Sequence, residues 1–261
     1  TLMHFGTYTA GGLPLQFPST VRDNDAMVGY YRQWQPDAAP GEIRRYSNPS
    51  IGLMGHLAGL ALGSTYDTAV ESQLFSALGM PGSFIRVPDS AMTDYAWGYN
   101  NSNQPIRVNP GMFDGEAYGV KTTALDFIRF VQFNLNPSAL DESWRQAIEE
   151  THRGYFRLNA MTQALAWELY EFPAELDTLL AGSAMGVVME NNPVQRIDPP
   201  VIATSTTLFH KTGSTNGFGA YVLFVPSEQI GIVMLANRNY PNAARITAAY
   251  DILQEIRNNG L

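Results

Sequence analysis

A chain of 261 residues with 45% hydrophobic content can bury a sizeable core, as one large domain or two intimate ones, and no apolar run approaches the ~20 residues of a membrane helix. Sixteen Lys+Arg against 24 Asp+Glu leave a net charge of −8, which argues against nucleic acid or an anionic membrane as partner. Zero cysteines exclude disulfides, thiol chemistry and thiolate zinc sites, so a soluble globular protein without those devices is expected.

The chain opens on Thr1, and residues 1–12 hold no basic stretch followed by an apolar one, so the start reads as cut, by processing or truncation. Residues 50–62 are apolar nearly all round with small residues among them, which predicts a buried helix. Residues 65–78 predict an amphipathic helix through Val70, Leu74 and Leu78, stopped by Gly79 and Pro81. A Thr-x-x-Asp cap opens a third helix over 123–135, with Leu125, Ile128, Val131 and Leu135 on its apolar face. The last third switches to strands at 206–211, 219–225 and 230–236, the final pair joined by Pro226-Ser227-Glu228. A helix over 245–256 then presents Ile246, Ala249, Ile252, Leu253 and Ile256 to that sheet, with Asn258-Asn259-Gly260 as its stop. The fold class is α+β: an antiparallel sheet flanked by helices, plus a mostly helical subdomain. The expected division is 1–64, carrying Tyr46-Ser47-Asn48, and 65–261, carrying Lys211-Thr212-Gly213.

Lys211-Thr212-Gly213 is the first chemical candidate. Alternation on a strand puts Lys211 and Gly213 on one face and His210 and Thr212 on the other. Gly213 leaves its face bare, so a ligand can lie against the backbone beside the Lys211 ammonium. The alternative is a surface lysine beside a turn. Tyr46 is the second candidate, because a tyrosine serves as general base once its pKa falls by about 3 units, and one ammonium at ~4 Å supplies roughly that at an effective dielectric near 20. Asn48 offers an amide donor and acceptor. The bland reading of Tyr46 and Asn48 is a core phenol and a helix cap. His4, His56, His152 and His210 show no metal spacing, with His56 expected as a core residue and His210 as support for its strand. Asp114 and Glu116 read as solvated loop carboxylates before Tyr118.

These motifs do not stand alone. Thr7-Tyr8-Thr9-Ala10-Gly11-Gly12, Tyr46-Ser47-Asn48-Pro49-Ser50, Tyr95-Ala96-Trp97-Gly98-Tyr99, Glu116-Ala117-Tyr118-Gly119-Val120-Lys121, His210-Lys211-Thr212-Gly213-Ser214 and Tyr240-Pro241-Asn242 occur in an order that spans essentially the whole chain. In that order the chain resembles the class C β-lactamases. The resemblance implies a β-lactamase/transpeptidase-like fold and a serine acyl-enzyme that opens β-lactams, cephalosporinase-type, periplasmic, monomeric and without a cofactor or metal. It implies Tyr46, Lys211 and the Ser214 amide as catalytic groups. Gln16, Asn48, Tyr118, Thr212, Gly213, Asn239 and Asn242 would bind the substrate.

The departure from the family is equally plain. Serine enzymes of this type pair the Lys-Thr-Gly strand with a Ser-x-x-Lys that carries the nucleophile. This chain has two lysines, Lys121 and Lys211, preceded three residues earlier by Tyr118 and Leu208. It is therefore expected to lack the family's N-terminal portion, to be inactive alone, and to expose a sheet edge. Two other readings stay open: a D-Ala-D-Ala carboxypeptidase or esterase of the same fold, and a non-catalytic binding protein. Residues 177–200 would tune the antibiotic spectrum without a readable code.

Overall fold

In the computed structural model, which describes residues 1–260, the first long helix, α1 (Asn48–Ala61), starts where the Ser47 side chain accepts the Ser50 backbone N–H and Pro49 occupies the first turn. Leu261, the last residue of the expected second unit, lies outside the described residues. The buried face of α1 is its small one: Gly52, Gly55 and Gly59 are buried, whereas Leu57 and Leu60 are 37% and 61% exposed. This corrects the expectation of a helix buried all round. The reason is close approach, since a Cβ on Gly52 would stand 2.5 Å from Cβ of Phe113.

After α1 comes a helical stretch, Tyr66–Ala69 continuing as a wider-wound turn Val70–Phe75, then Asp114–Tyr118, α2 (Ala124–Leu135) and α3 (Glu142–Thr151). Thr123 caps α2 as its pattern predicts, accepting the Asp126 N–H at 3.1 Å. Leu125 is 65% exposed, however, and Phe127 and Phe130 flank Val131 in its place. The expected 64/65 division falls between α1 and Tyr66, while the main sheet begins at Gly154.

Seven antiparallel strands make the sheet: β1 (Gly154–Leu158), β2 (Met161–Gln163), β3 (Glu168–Glu171), β4 (Gln195–Val201), β5 (Thr207–Ser214), β6 (Gly219–Val225) and β7 (Ile230–Ala236). Their order is β7-β6-β5-β3-β2-β1-β4. The β6–β7 hairpin matches its predicted bounds, and β7 stands at one edge with β6 as its strand neighbour. Strands β1 to β4 escaped the sequence reading, although β1 alternates in burial and turns into β2 at Asn159 in the left-handed region.

Helix α4 (Asn242–Asn259) covers one face of the sheet, packing Ile246, Ala249 and Leu253 on Tyr221, Leu223 and Val225. It begins three residues before the expected 245, directly after Pro241. Ile252 lies about 100° round from Leu253 and is 44% exposed, so it does not join the buried face. On the other face α2 sets Val131 against Phe209, Val222 and Phe224. Each fully buried side chain of this size contributes roughly 1.5–3 kcal/mol. The α+β expectation holds, with helices on both faces of one antiparallel sheet.

Candidate active site

The site forms where the sheet opens. Strand β5 pairs with β3 as far as His210↔Glu168, and residues 211–214 run on past that last pair while remaining bonded to β6. One backbone edge of Lys211-Thr212-Gly213-Ser214 is therefore turned away from any strand. A Cβ on Gly213 would meet only Ala220, at 3.7 Å, so the bareness of this position serves the cleft rather than a tight protein contact.

Lys211 and Tyr46, 165 positions apart, come together: Nζ of Lys211 stands 4.9 Å from the Tyr46 ring centroid. The ammonium donates to the Thr212 carbonyl at 3.0 Å and lies 3.8 Å from Oε1 of Glu168. Tyr46 is fixed from behind by Tyr8, ring centroids 4.8 Å apart, and it directly precedes the cap of α1. Burial pushes the Tyr8 phenol well up, and Tyr46 beside it adds to that. The backbone N–H of Asn48 donates to the Leu15 carbonyl at 3.1 Å, which seats the Gln16 loop beside the start of α1.

Glu168 is the cleft residue that sequence reasoning missed. It is buried and faces three cationic or ionisable groups: Nη2 of Arg44 at 3.0 Å, Lys211, and Nε2 of His210 at 3.3 Å. Burial opposes its ionisation, yet Lys211, His210 and Arg44 together hold the carboxyl down at about 2. Arg44, itself 1% exposed, also donates to Gln163 at 2.6 Å and to the Val187 carbonyl at 3.1 Å. The contact with His210 lacks hydrogen-bond alignment, since Nε2 has no directed partner. Its Nδ1 meets the Tyr221 hydroxyl at 2.8 Å, which gives His210 its expected supporting place under the strand. No motif surrounds Glu168; the only signal available was that a histidine and a lysine at 210 and 211 need a buried counter-charge.

A second buried cation closes the other end. Arg245, fully buried, donates to the Gly213 carbonyl at 2.6 Å, Ser214 Oγ at 3.0 Å, the Ala220 carbonyl at 3.2 Å and Asn239 Oδ1 at 3.0 Å. It thereby fixes the end of β5 to the loop that carries Asn239. Asn242 opens α4, the helix that also carries Arg245.

All the sequence-predicted positions line one cleft of about 1910 Å³: Gln16, Tyr46, Asn48, Tyr118, Lys211, Thr212, Gly213, Ser214, Asn239 and Asn242. Burial, with the Asp114 charge as a smaller cause, pushes the Tyr118 phenol up. Two expectations nearby fail. Asp114 is no solvated loop carboxylate: it is buried and grips Arg86 through both oxygens at 2.8 and 2.7 Å, because the start of its short helix is folded inward under Arg86. His56 is only part-buried, lying on the Phe113 ring 4.0 Å from Oε1 of Glu116 rather than inside a core. Among the described residues no group of three or more potential metal ligands occurs.

The chain is similar to known proteins over nearly its whole length. The β-lactamase family model matches residues 1–256. A β-lactamase of Pseudomonas fluorescens is 48% identical over 253 residues, covering 97% of this chain and 71% of its own length. The crystal structure of a β-lactamase/D-alanine carboxypeptidase from Pseudomonas syringae superposes with a TM-score of 0.95 at 46% identity, covering 97% of this chain and 71% of that one. A class C β-lactamase in complex with cefoxitin superposes at 0.94 with 42% identity, covering 98% and 71%.

Proposed function

The chain belongs to the β-lactamase family, hydrolases that act on β-lactams, with class C enzymes among its structural neighbours, and from that premise we propose that it carries the substrate-anchoring half of a class C site. The observation that carries this reading is the Lys211–Tyr46–Glu168 contact set at the unpaired edge of β5. A lysine ammonium has three donors, and here one goes to the Thr212 carbonyl while Glu168 fixes the side chain. The cleft side of the ammonium serves a substrate carboxylate, a charge-assisted bond of about 1.5–3 kcal/mol. The open backbone of residues 211–214 pairs with the amide of the substrate as a strand would. The Ser214 N–H then polarises the acyl oxygen, commonly the largest catalytic term in acyl transfer. Gln16, Asn48 and Tyr118 hold the acyl side chain, and Asn239 and Asn242 orient the carboxylate. Tyr46, under the positive field of Lys211, moves the proton.

The attacking group is the part these residues do not contain, because no Ser-x-x-Lys occurs in the sequence. Loss of a serine nucleophile costs on the order of 10⁶ in rate in a serine hydrolase. The 261-residue chain should not turn over nitrocefin. A chimera in which Thr1 follows the residues that precede the matching segment in the P. fluorescens relative should do so, and a Lys211→Ala version should lose it. A chimera that folds and leaves nitrocefin intact would sink the proposal, as would turnover by the chain alone. The P. syringae neighbour, described as both β-lactamase and D-alanine carboxypeptidase, supports a second reading; comparing nitrocefin with a D-Ala-D-Ala peptide on the same chimera separates them. Periplasmic location, monomeric state and a cephalosporinase-type spectrum follow from the family resemblance alone.

A further inference from the structure

The chain has two lysines, and both line the cleft. Their surroundings differ. Lys211 has the Glu168 carboxylate at 3.8 Å, shared with Arg44. Lys121 sits on a rigid backbone, exchanging both hydrogen bonds with Phe84 at 2.8 Å, and its Nζ donates to the Ile85 carbonyl at 2.9 Å. Among the described residues no carboxylate lies within ion-pair distance of it, because the nearby acids are committed elsewhere. Asp67 and Asp114 hold Arg86 at 2.9 and 2.7 Å, and Glu71 accepts the backbone N–H groups of Ile85 and Arg86 at 2.6 and 2.9 Å. The Arg86 guanidinium adds repulsion. Burial first and Arg86 second hold the Lys121 ammonium below the ordinary lysine value, against the weaker pull of Asp114, Asp67 and Glu71.

We infer that Lys121 is a nucleophilic amine that captures activated acyl compounds, aryl esters and strained lactams, as stable amides on the cleft wall. The Nζ lone pair forms a C–N bond to the acyl carbon. With an aryl ester the C–O bond breaks, the aryloxide leaves with its electron pair, and Nζ releases one proton to solvent. With a β-lactam the ring C–N bond breaks and the ring nitrogen takes that proton. An amide does not hydrolyse on this timescale, so each chain reacts once. This inference is independent of the substrate-anchoring reading, since an aryl ester needs no carboxylate recognition.

The test uses the 261-residue chain with substoichiometric p-nitrophenyl acetate in mildly alkaline buffer, followed by peptide mapping by mass spectrometry. Lys121 should be acetylated about tenfold or more faster than Lys211, because Glu168 stands beside the Lys211 ammonium and no carboxylate pairs with Lys121, with the exposed Thr1 amine as the background reference. Lys121→Arg, which keeps the charge and a donor for the Ile85 carbonyl, should lose that label while its far-UV circular dichroism is unchanged; Lys121→Met serves if the arginine perturbs folding. A smaller ratio between the two lysines overturns the inference. Benzylpenicillin in a parallel arm should leave a penicilloyl adduct on the same peptide. Ester labelling without that adduct removes the lactam half of the inference and leaves the ester half standing, whatever the chimera assay returns.

Discussion

Replacing Glu168 by Gln isolates the electrostatics that hold the site together. The wild-type carboxyl is held at about 2 by Lys211, His210 and Arg44, against 4.5 for an ordinary glutamate. A depression of about 2.5 units at 1.36 kcal/mol each gives about 3 kcal/mol of stability at neutral pH. The sign follows from the depression: this stability is fully present above pH 4.5 and is lost as pH falls towards the folded value of about 2. A second route reaches the same size. Glu168→Gln leaves Arg44, 1% exposed, without its counter-charge, and breaking a buried pair from one side costs about 3–5 kcal/mol. Urea unfolding at pH 7 and at pH 3 measures both effects. The variant should be about 3 kcal/mol less stable at pH 7, and it should lack the part of the wild-type acid loss that falls below pH 4.5. A variant within 1 kcal/mol of wild type at pH 7, or one with the same acid dependence, refutes the argument that Glu168 is the shared counter-charge.

His152 titrates in a different window. Burial against Phe209 and Phe224 holds its imidazole down to about 4 from 6.5, so its contribution is complete above pH 6.5 and is lost as pH falls to about 4, about 3 kcal/mol in all. His152→Gln should flatten the stability curve between those pH values while leaving the Glu168 region below 4.5 intact; an unchanged slope there removes the assignment. Two glycine substitutions should move in opposite directions. Gly29→Ala, in the helix Asn24–Gln33 with nothing within 4 Å of the added Cβ, should stabilise by about 0.5–1 kcal/mol. Gly52→Ala drives a Cβ to 2.5 Å from Phe113 and should cost a net 1–3 kcal/mol, both read from thermal or denaturant midpoints; stabilisation by Gly52→Ala would show that α1 can slide off Phe113.

Local chemistry and period made parts of this molecule legible in advance. Thr123 before Asp126, the hairpin at Pro226 and the apolar rows of β6 and β7 are short-range signals, and they led to the right elements within a few residues. The reading failed where the outcome depends on which neighbour arrives. Leu57, Leu60, Leu125 and Ile252 are as apolar as their buried counterparts, and only the approach of Phe113 to Gly52 or of Tyr221 to Ile246 determines which face turns inward. The sheet's middle strands were missed because β2 and β3 are three and four residues long, too short for alternation to stand out. At the site, Lys211 and Tyr46 could be named from motif and order. Glu168 and Arg245 could not, since each matters through groups more than forty or through backbone more than twenty positions away, Lys211 for one and Ala220 for the other.

The charges explain how an acidic chain presents a wall that suits an anion. The net charge of −8 repels a carboxylate at long range, but that repulsion is screened beyond about 8–10 Å at physiological salt. Within that distance the local count differs. Arg44 and Lys211 share the single carboxylate of Glu168, leaving one positive charge beside Tyr46. Arg245, at the other end of Lys211-Thr212-Gly213-Ser214, meets carbonyls, a hydroxyl and an amide, and no carboxylate stands within ion-pair distance among the described residues. Carbonyl dipoles solvate a guanidinium without cancelling its charge, so the unpaired edge of β5 runs between two uncompensated cations. A ligand that lays a carboxylate along this edge supplies the missing anion, and it gains most when it also pairs with the open backbone. On the proposed reading, recognition resides in the positions of Arg44, Glu168 and Arg245 behind the wall as much as in the Lys-Thr-Gly residues that form its surface.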